Sequence, residues 1–148
     1  MDSDASGAYT QIDLTGNKTF ITPPTDWWTP EMHEIKRIYG CNPVVQLKVN
    51  LYGHPKAGLY WEEHCHAAIL RCGFEKVDDW ECLFKHHEKK LFLSVYVDDF
   101  KMGGLKENIA PMWEMLGENG IGGLILDEPT TITGNQRLSR QRAIKRAK

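Results

Sequence analysis

The chain has 148 residues, which is enough for one domain with a real core but small for a complete multi-lobed enzyme. A hydrophobic fraction of 41% and a charged fraction of 26% are those of an ordinary soluble globular protein. The net charge of −2 excludes a global basic signal for nucleic acid, so any such contact has to come from local patches. No apolar run approaches the length of a membrane span, and Met1-Asp2-Ser3-Asp4 is not a signal peptide. Cys41, Cys65, Cys72 and Cys82 lack C-x-x-C spacing, which makes a reduced, intracellular setting (cytoplasmic or nuclear) the expectation, with no membrane partner.

In chain order, Met1 to Gln11 is polar and begins without any strand to lead it in, as though cut from something longer. Lys18 to Thr22 alternates like a short strand and stops at Pro23-Pro24. Thr29-Pro30-Glu31 has the form of a helix start, with Thr29 as cap, and the helix runs to about Tyr39 before Gly40 and Pro43. Val44 to Leu51 reads as a strand or extended segment. Lys56 to Leu70 places Ala57, Tyr60, Trp61, Ala68 and Ile69 on one face of a helix that Cys72-Gly73 ends. Glu81–His86 and Leu91–Val97 read as two strands around the charged tip His87-Glu88-Lys89-Lys90, with His86-His87 solvated. Phe100-Lys101-Met102 then continues to Gly103-Gly104, which makes Asp98-Asp99 the turn of a second tight hairpin. Leu105 to Leu116 reads as a helix containing Pro111, with Asn108 as an alternative start that would put Pro111 in the first turn. Gly122–Leu126 and Thr130–Thr133 read as short strands. Arg137–Lys148 carries six Lys or Arg and no acid, a basic tail expected to be a frayed helix or disordered. This divides the chain into a domain over 1–136 and a tail over 137–148.

The stretch with chemical content is Leu91 to Phe100, where an apolar strand runs into Asp98-Asp99. A carboxylate at the end of a buried strand costs several kcal/mol unless it is paired or binds a cation. Mg²⁺ takes oxygen ligands and is commonly held by one or two carboxylates plus substrate phosphates. Asp78-Asp79 has no apolar lead-in and reads as a turn. For Asp98-Asp99, the apolar run and the flanking Tyr96 favour a site over an acidic turn. His64-Cys65-His66 with Cys72 lacks zinc-ligand spacing, and Cys65 and Cys72 read as small apolar packers. Trp27-Trp28, beside prolines, reads as the cover of a core edge rather than a base-stacking platform.

Three blocks, taken together, resemble the reverse transcriptase of copia-type LTR retrotransposons over roughly residues 2 to 135. They are Asp4-Ala5-Ser6-Gly7-Ala8-Tyr9, the run Leu51-Tyr52-Gly53-His54-Pro55-Lys56-Ala57-Gly58-Leu59-Tyr60-Trp61, and Tyr96-Val97-Asp98-Asp99 followed by Gly103. Gly73-Phe74 and Asp79-Trp80-Glu81-Cys82-Leu83-Phe84 echo the family between the second and third blocks. The second block departs from the family's LYGLKQAPRxW pattern. His54-Pro55-Lys56 stands for Leu-Lys-Gln, Gly58 for Pro, and Leu59 for an Arg whose bidentate contact is thereby lost.

The resemblance implies an α+β polymerase palm, an antiparallel sheet packed on helices, with fingers and thumb largely missing. It implies RNA-directed DNA polymerase chemistry, in which a primer 3′ hydroxyl attacks a deoxynucleoside triphosphate with two Mg²⁺ (or Mn²⁺) ions. Asp4, Asp98 and Asp99 would be the catalytic acids and metal ligands. Tyr9, Tyr52, Gly53 and Tyr96 would surround the nucleotide, Tyr9 screening the sugar 2′ hydroxyl, and Lys56 and Trp61 would meet the nucleic acid. The implied partners are an RNA or DNA template with its primer, deoxynucleoside triphosphates, and other parts of a retroelement polyprotein. The rival readings are a catalytically inactive relic that acts at most as a nucleic-acid-binding module, and a metal-dependent phosphohydrolase using the same acids.

Overall fold

A computed structural model describes residues 1–16 and 18–131. The basic tail, its boundary at 136/137 and the end of the strand expected at 130–133 lie outside these residues.

Local signals act as expected in the first helix. Thr29 caps α1 (Pro30–Tyr39) by accepting from the Met32 N–H at 3.4 Å, Pro30 occupies the first turn, and Gly40 ends it in the left-handed conformation. No residue of α1 is buried, so it stands off the core. Two short strands flank it, β2 (Phe20–Ile21) and β3 (Val45–Gln46), paired antiparallel as a separate ribbon. Both are shorter than the sequence suggests. The chain then enters α2 (Ala57–Arg71), which buries Ala57, Trp61, Cys65, Ala68 and Ile69.

The main sheet has five antiparallel strands in the order β1-β7-β6-β5-β4. They are β1 (Asp2–Asp4), β4 (Glu75–Val77), β5 (Trp80–His86), β6 (Leu91–Tyr96) and β7 (Asp99–Gly104). Strict alternation along β6 sends Leu91, Leu93 and Val95 inward and leaves Phe92, Ser94 and Tyr96 exposed. The inward set joins Phe100 and Met102 of β7 in one core cluster with Trp61, Cys65, Ala68 and Ile69 of α2. Met112, Trp113 and Leu116 of α3 (Lys106–Leu116) belong to the same cluster. Both helices contribute to the core on one face of the sheet, and the other face is open. The fold is α+β.

The polar N-terminal segment contributes a strand to the sheet: β1 pairs with β7 through Asp2↔Lys101, Ser3↔Phe100 and Asp4↔Asp99. Its other edge is covered by the chain returning after α3, through isolated bridges Ala5↔Leu126 and Asp2↔Thr130. Residues 122–131 form such single bridges rather than the two short strands expected. β4 was not anticipated. α3 begins at Lys106, in keeping with the Leu105–Leu116 reading and not with the alternative start at Asn108, and carries Pro111 in its interior, where exposure to solvent supplies partners for the backbone group that proline leaves unbonded. His86 is buried rather than solvated, because its ring meets Phe74 edge-on at 5.3 Å.

The two faces of β6 make a direct test. Leu93→Ala is expected to cost about 2–5 kcal/mol by urea unfolding, while Phe92→Ala on the open face shifts stability by less than about 1 kcal/mol.

Candidate functional site

The site grows out of two backbone registers. In the first, β6 and β7 form a hairpin whose last cross-strand pair is Tyr96↔Asp99, so its two turn residues are Val97 and Asp98 rather than the expected Asp98-Asp99, and Asp99 belongs to β7. Val97 has φ 54°, unusual for a β-branched side chain at a position where hairpins commonly use glycine. Its carbonyl accepts a 2.6 Å hydrogen bond from the Trp61 indole Nε1. The Asp98 carbonyl accepts from the Ala5 N–H at 2.7 Å, tying the turn to the end of β1.

Asp4 therefore stands directly across from Asp99, with both side chains on the open face of the sheet. The Asp4 strand is held on its far side as well: the Asp4 carbonyl accepts from Asp127 N–H at 2.8 Å, and the Ser3 hydroxyl donates to the Asp127 carbonyl at 2.7 Å. One Asp99 oxygen contacts the Lys101 ammonium two residues along the same face. The other, Oδ1, is buried with no hydrogen-bond partner among the described residues. Asp98 is exposed in the turn. Among the described residues no group of three or more His, Cys, Asp or Glu side chains converges as a cation cage.

The second register runs through Ile12 and Asn50. Asn50 is fully buried, and both its backbone N–H (3.0 Å) and side-chain Nδ2 (3.5 Å) donate to the Ile12 carbonyl. Together with the Asp13↔Val49 bridge, this lays the chain before α2 beside the segment after β1. Tyr9 sits in a 3₁₀ turn (Ala8–Gln11) entered through Gly7 at φ 58°, where a Cβ would approach Thr10 Oγ1 to 2.7 Å. As a result Tyr9 and Tyr52 come into ring contact, their centroids 4.6 Å apart at 52°. Gly53, at φ 91°, turns the chain after Tyr52, and exposed Lys56 caps α2.

A cavity of about 290 Å³ opens between the hairpin and α2, lined by Tyr9, Trp61, Glu62, Cys65, Tyr96 and Val97 among others. The sequence-derived residues thus fall in two linked groups. Asp4 and Asp99 face each other across β1 and β7, with Asp98 in the adjoining turn, while Tyr9, Tyr96 and Trp61 share the cavity, with Tyr52 against Tyr9. Lys56 stands apart, at the start of α2. Trp61 is only 3% exposed and turns its polar edge to the hairpin, leaving almost no ring surface for a nucleic acid strand.

Sequence reasoning missed Asn50 and Gln11. Gln11 holds the returning chain by donating to the Ser6 and Ile125 carbonyls, each at 2.9 Å, and accepting from the Ile125 N–H at 3.0 Å. Neither residue carries a motif. An Asn directly before the Leu51 block is the only hint that the sequence gives.

Over 98 residues, 65% of the chain, the sequence is 32% identical to the truncated transposon Ty1-A Gag-Pol polyprotein of Saccharomyces cerevisiae. Over the same extent it is 32% identical to the transposon Ty1-DR5 and Ty1-LR2 Gag-Pol polyproteins of that yeast. The chain spans only 7% of the length of the first and 5% of the other two. These similarities support a retrotransposon origin and a relationship to part of a polyprotein. No family model matches the chain, and no solved structure does. Among the described residues no helix is long and apolar enough to cross a membrane.

Burial also sets the chemistry of the cavity wall. Desolvation holds His66 below its usual value despite the opposing pull of Glu62, and pushes the Cys65 thiol up to about 12. The folded chain keeps the Cys65 proton that the unfolded chain releases near 9.0, so stability from this group is intact below pH 9.0 and falls as pH rises toward about 12. Cys72, also raised by burial, adds to the same slope. Urea unfolding across this range is expected to show a loss of stability that Cys65→Ala partly flattens.

Proposed function

We propose that this chain is the palm of an RNA-directed DNA polymerase of a retrotransposon. Its reaction is transfer of a deoxynucleotide to a primer 3′ hydroxyl. The observation that carries the reading is the Asp4↔Asp99 pair on the open sheet face, with Asp98 in the adjoining turn. Asp4 and Asp99, more than ninety residues apart in the sequence, come from neighbouring strands. The polyprotein similarity supports the same reading independently.

The donor set suits magnesium. All three groups offer hard carboxylate oxygens, Asp99 Oδ1 is buried without a partner among the described residues, and one or two protein carboxylates are sufficient when substrate phosphates complete the shell. Bound there, Mg²⁺ or Mn²⁺ would make the 3′ hydroxyl a better nucleophile and neutralise the triphosphate. The protein's part is to hold negative charge where those ligands meet, on strands fixed at both edges. Tyr9, braced against Tyr52, limits the room beside the nucleotide sugar and favours the 2′-deoxy form. Tyr96 and Gly53 border the same region, and Lys56 reaches a phosphate of the nucleic acid. The remaining parts of a retroelement polyprotein are its natural partners.

Primer extension on a primed RNA template with Mg²⁺ or Mn²⁺ tests this. Asp98→Asn is expected to reduce extension by at least about 100-fold. Tyr9→Ala is expected to keep extension but to admit ribonucleotides. Salt-sensitive template binding with no Asp98-dependent extension would point instead to the inactive binding module, and Asp98-dependent phosphoester cleavage to the hydrolase.

A further inference from the structure

The turn that carries Asp98 is held in an uncommon conformation, and a single buried side chain reaches it. Val97 has φ 54°, a region that a β-branched residue enters only when its surroundings impose it. Its carbonyl oxygen accepts the 2.6 Å hydrogen bond from Trp61 Nε1, across 36 positions of sequence. Trp61 belongs to the core cluster with Cys65, Ala68 and Ile69 of the same helix, so its indole is fixed by packing rather than free to follow the turn. An indole has one donor and no acceptor, and the Val97 carbonyl satisfies it. Beyond the bond, Asp98 and Asp99 follow immediately, and the Asp98 carbonyl meets the Ala5 N–H at the end of β1.

We propose that Trp61 is a positioning residue: its indole N–H holds the Val97–Asp98 turn in the conformation that sets the aspartates against β1. The inference rests on the polymerase reading above and deepens it. It gives Trp61 a role inside the protein, distinct from the contact with nucleic acid that the sequence suggested. Two physical effects combine. The bond satisfies a carbonyl in a partly buried place, where an unmet acceptor is costly. It also ties a strained turn to a rigid helix, so the carboxylates are held by a packed element rather than by the hairpin alone.

Trp61→Phe keeps an aromatic ring and removes only the donor. Amide hydrogen exchange at Val97 to Phe100 is expected to quicken by about tenfold in this variant, with exchange in β5 unchanged. Extension by the full chain is expected to fall in kcat by a similar factor, with template–primer affinity unchanged. Exchange at the turn equal to that of the native chain would overturn the proposal, as would a loss confined to template–primer affinity. If the native chain shows no Asp98-dependent extension, the polymerase reading fails while the exchange measurement still decides the clamp. The native chain gives a second readout that needs no folded variant. The Trp61 indole N–H is expected to exchange far more slowly than that of Trp27, which is 74% exposed, and equal rates would contradict the bond.

Discussion

The arrangement depends on β1, an edge strand of the five-stranded sheet, being held along both of its sides. Asp2, Ser3 and Asp4 have little intrinsic preference for extended structure, and nothing apolar in the segment would bury it. It is held because β7 pairs with one edge while the chain leaving α3 pairs with the other. Backbone hydrogen bonds on both sides, with Ser3 and Asp127 adding side-chain and main-chain links, fix the height of Asp4 along the sheet. Since cross-strand partners share a face, the same pairing decides that Asp4 looks toward Asp99 and not into the core. A slip of one residue would bury Asp4 and expose Ser3.

The remainder of the site is arranged around that fixed strand. Gly7 turns the chain sharply enough for Tyr9 to follow within five positions of Asp4, and Asn50 anchors the next segment so that Tyr52 meets Tyr9. α2 runs beneath and supplies the buried wall of the cavity. The open face stays free because α2 and α3 contribute to the core on the opposite side. This leaves Tyr96, the cross-strand partner of Asp99, exposed beside the acids on a surface without helical cover.

What the sequence made legible follows from where its signals lie. α1 was readable to the residue because Thr29, Pro30 and Gly40 are local signals. β6 was readable because alternation over six positions is itself a strand pattern. β1 was not, since Asp-Ser-Asp becomes a strand only through partners about a hundred residues away. Residues 122–131 were overread for the converse reason: the short apolar run Leu124 to Leu126 beside Asp127-Glu128-Pro129 suggested strands where the chain makes single bridges. His86 looked like part of a charged tip, yet its position on the inward face of β5 buries it against Phe74. The acids of the site were named through the order of motifs, a resemblance rather than a pattern in any one segment. The pairing of Asp4 with Asp99 across β1 and β7, and the turn of Trp61 toward the hairpin, are properties of register and packing that no single segment encodes.

The central proposal is that Asp4 and Asp99, with Asp98 in the adjoining turn, bind a divalent cation at this edge of the sheet. Titration of the isotopically labelled full chain with Mn²⁺, followed by paramagnetic broadening of its amide resonances, tests this without requiring turnover. Broadening is expected to appear first at Asp4 and at Asp98 to Phe100, and to disappear in Asp4→Asn and in Asp99→Asn. Broadening centred on other acids, such as Asp78 and Asp79, or unaffected by those substitutions, would contradict the account.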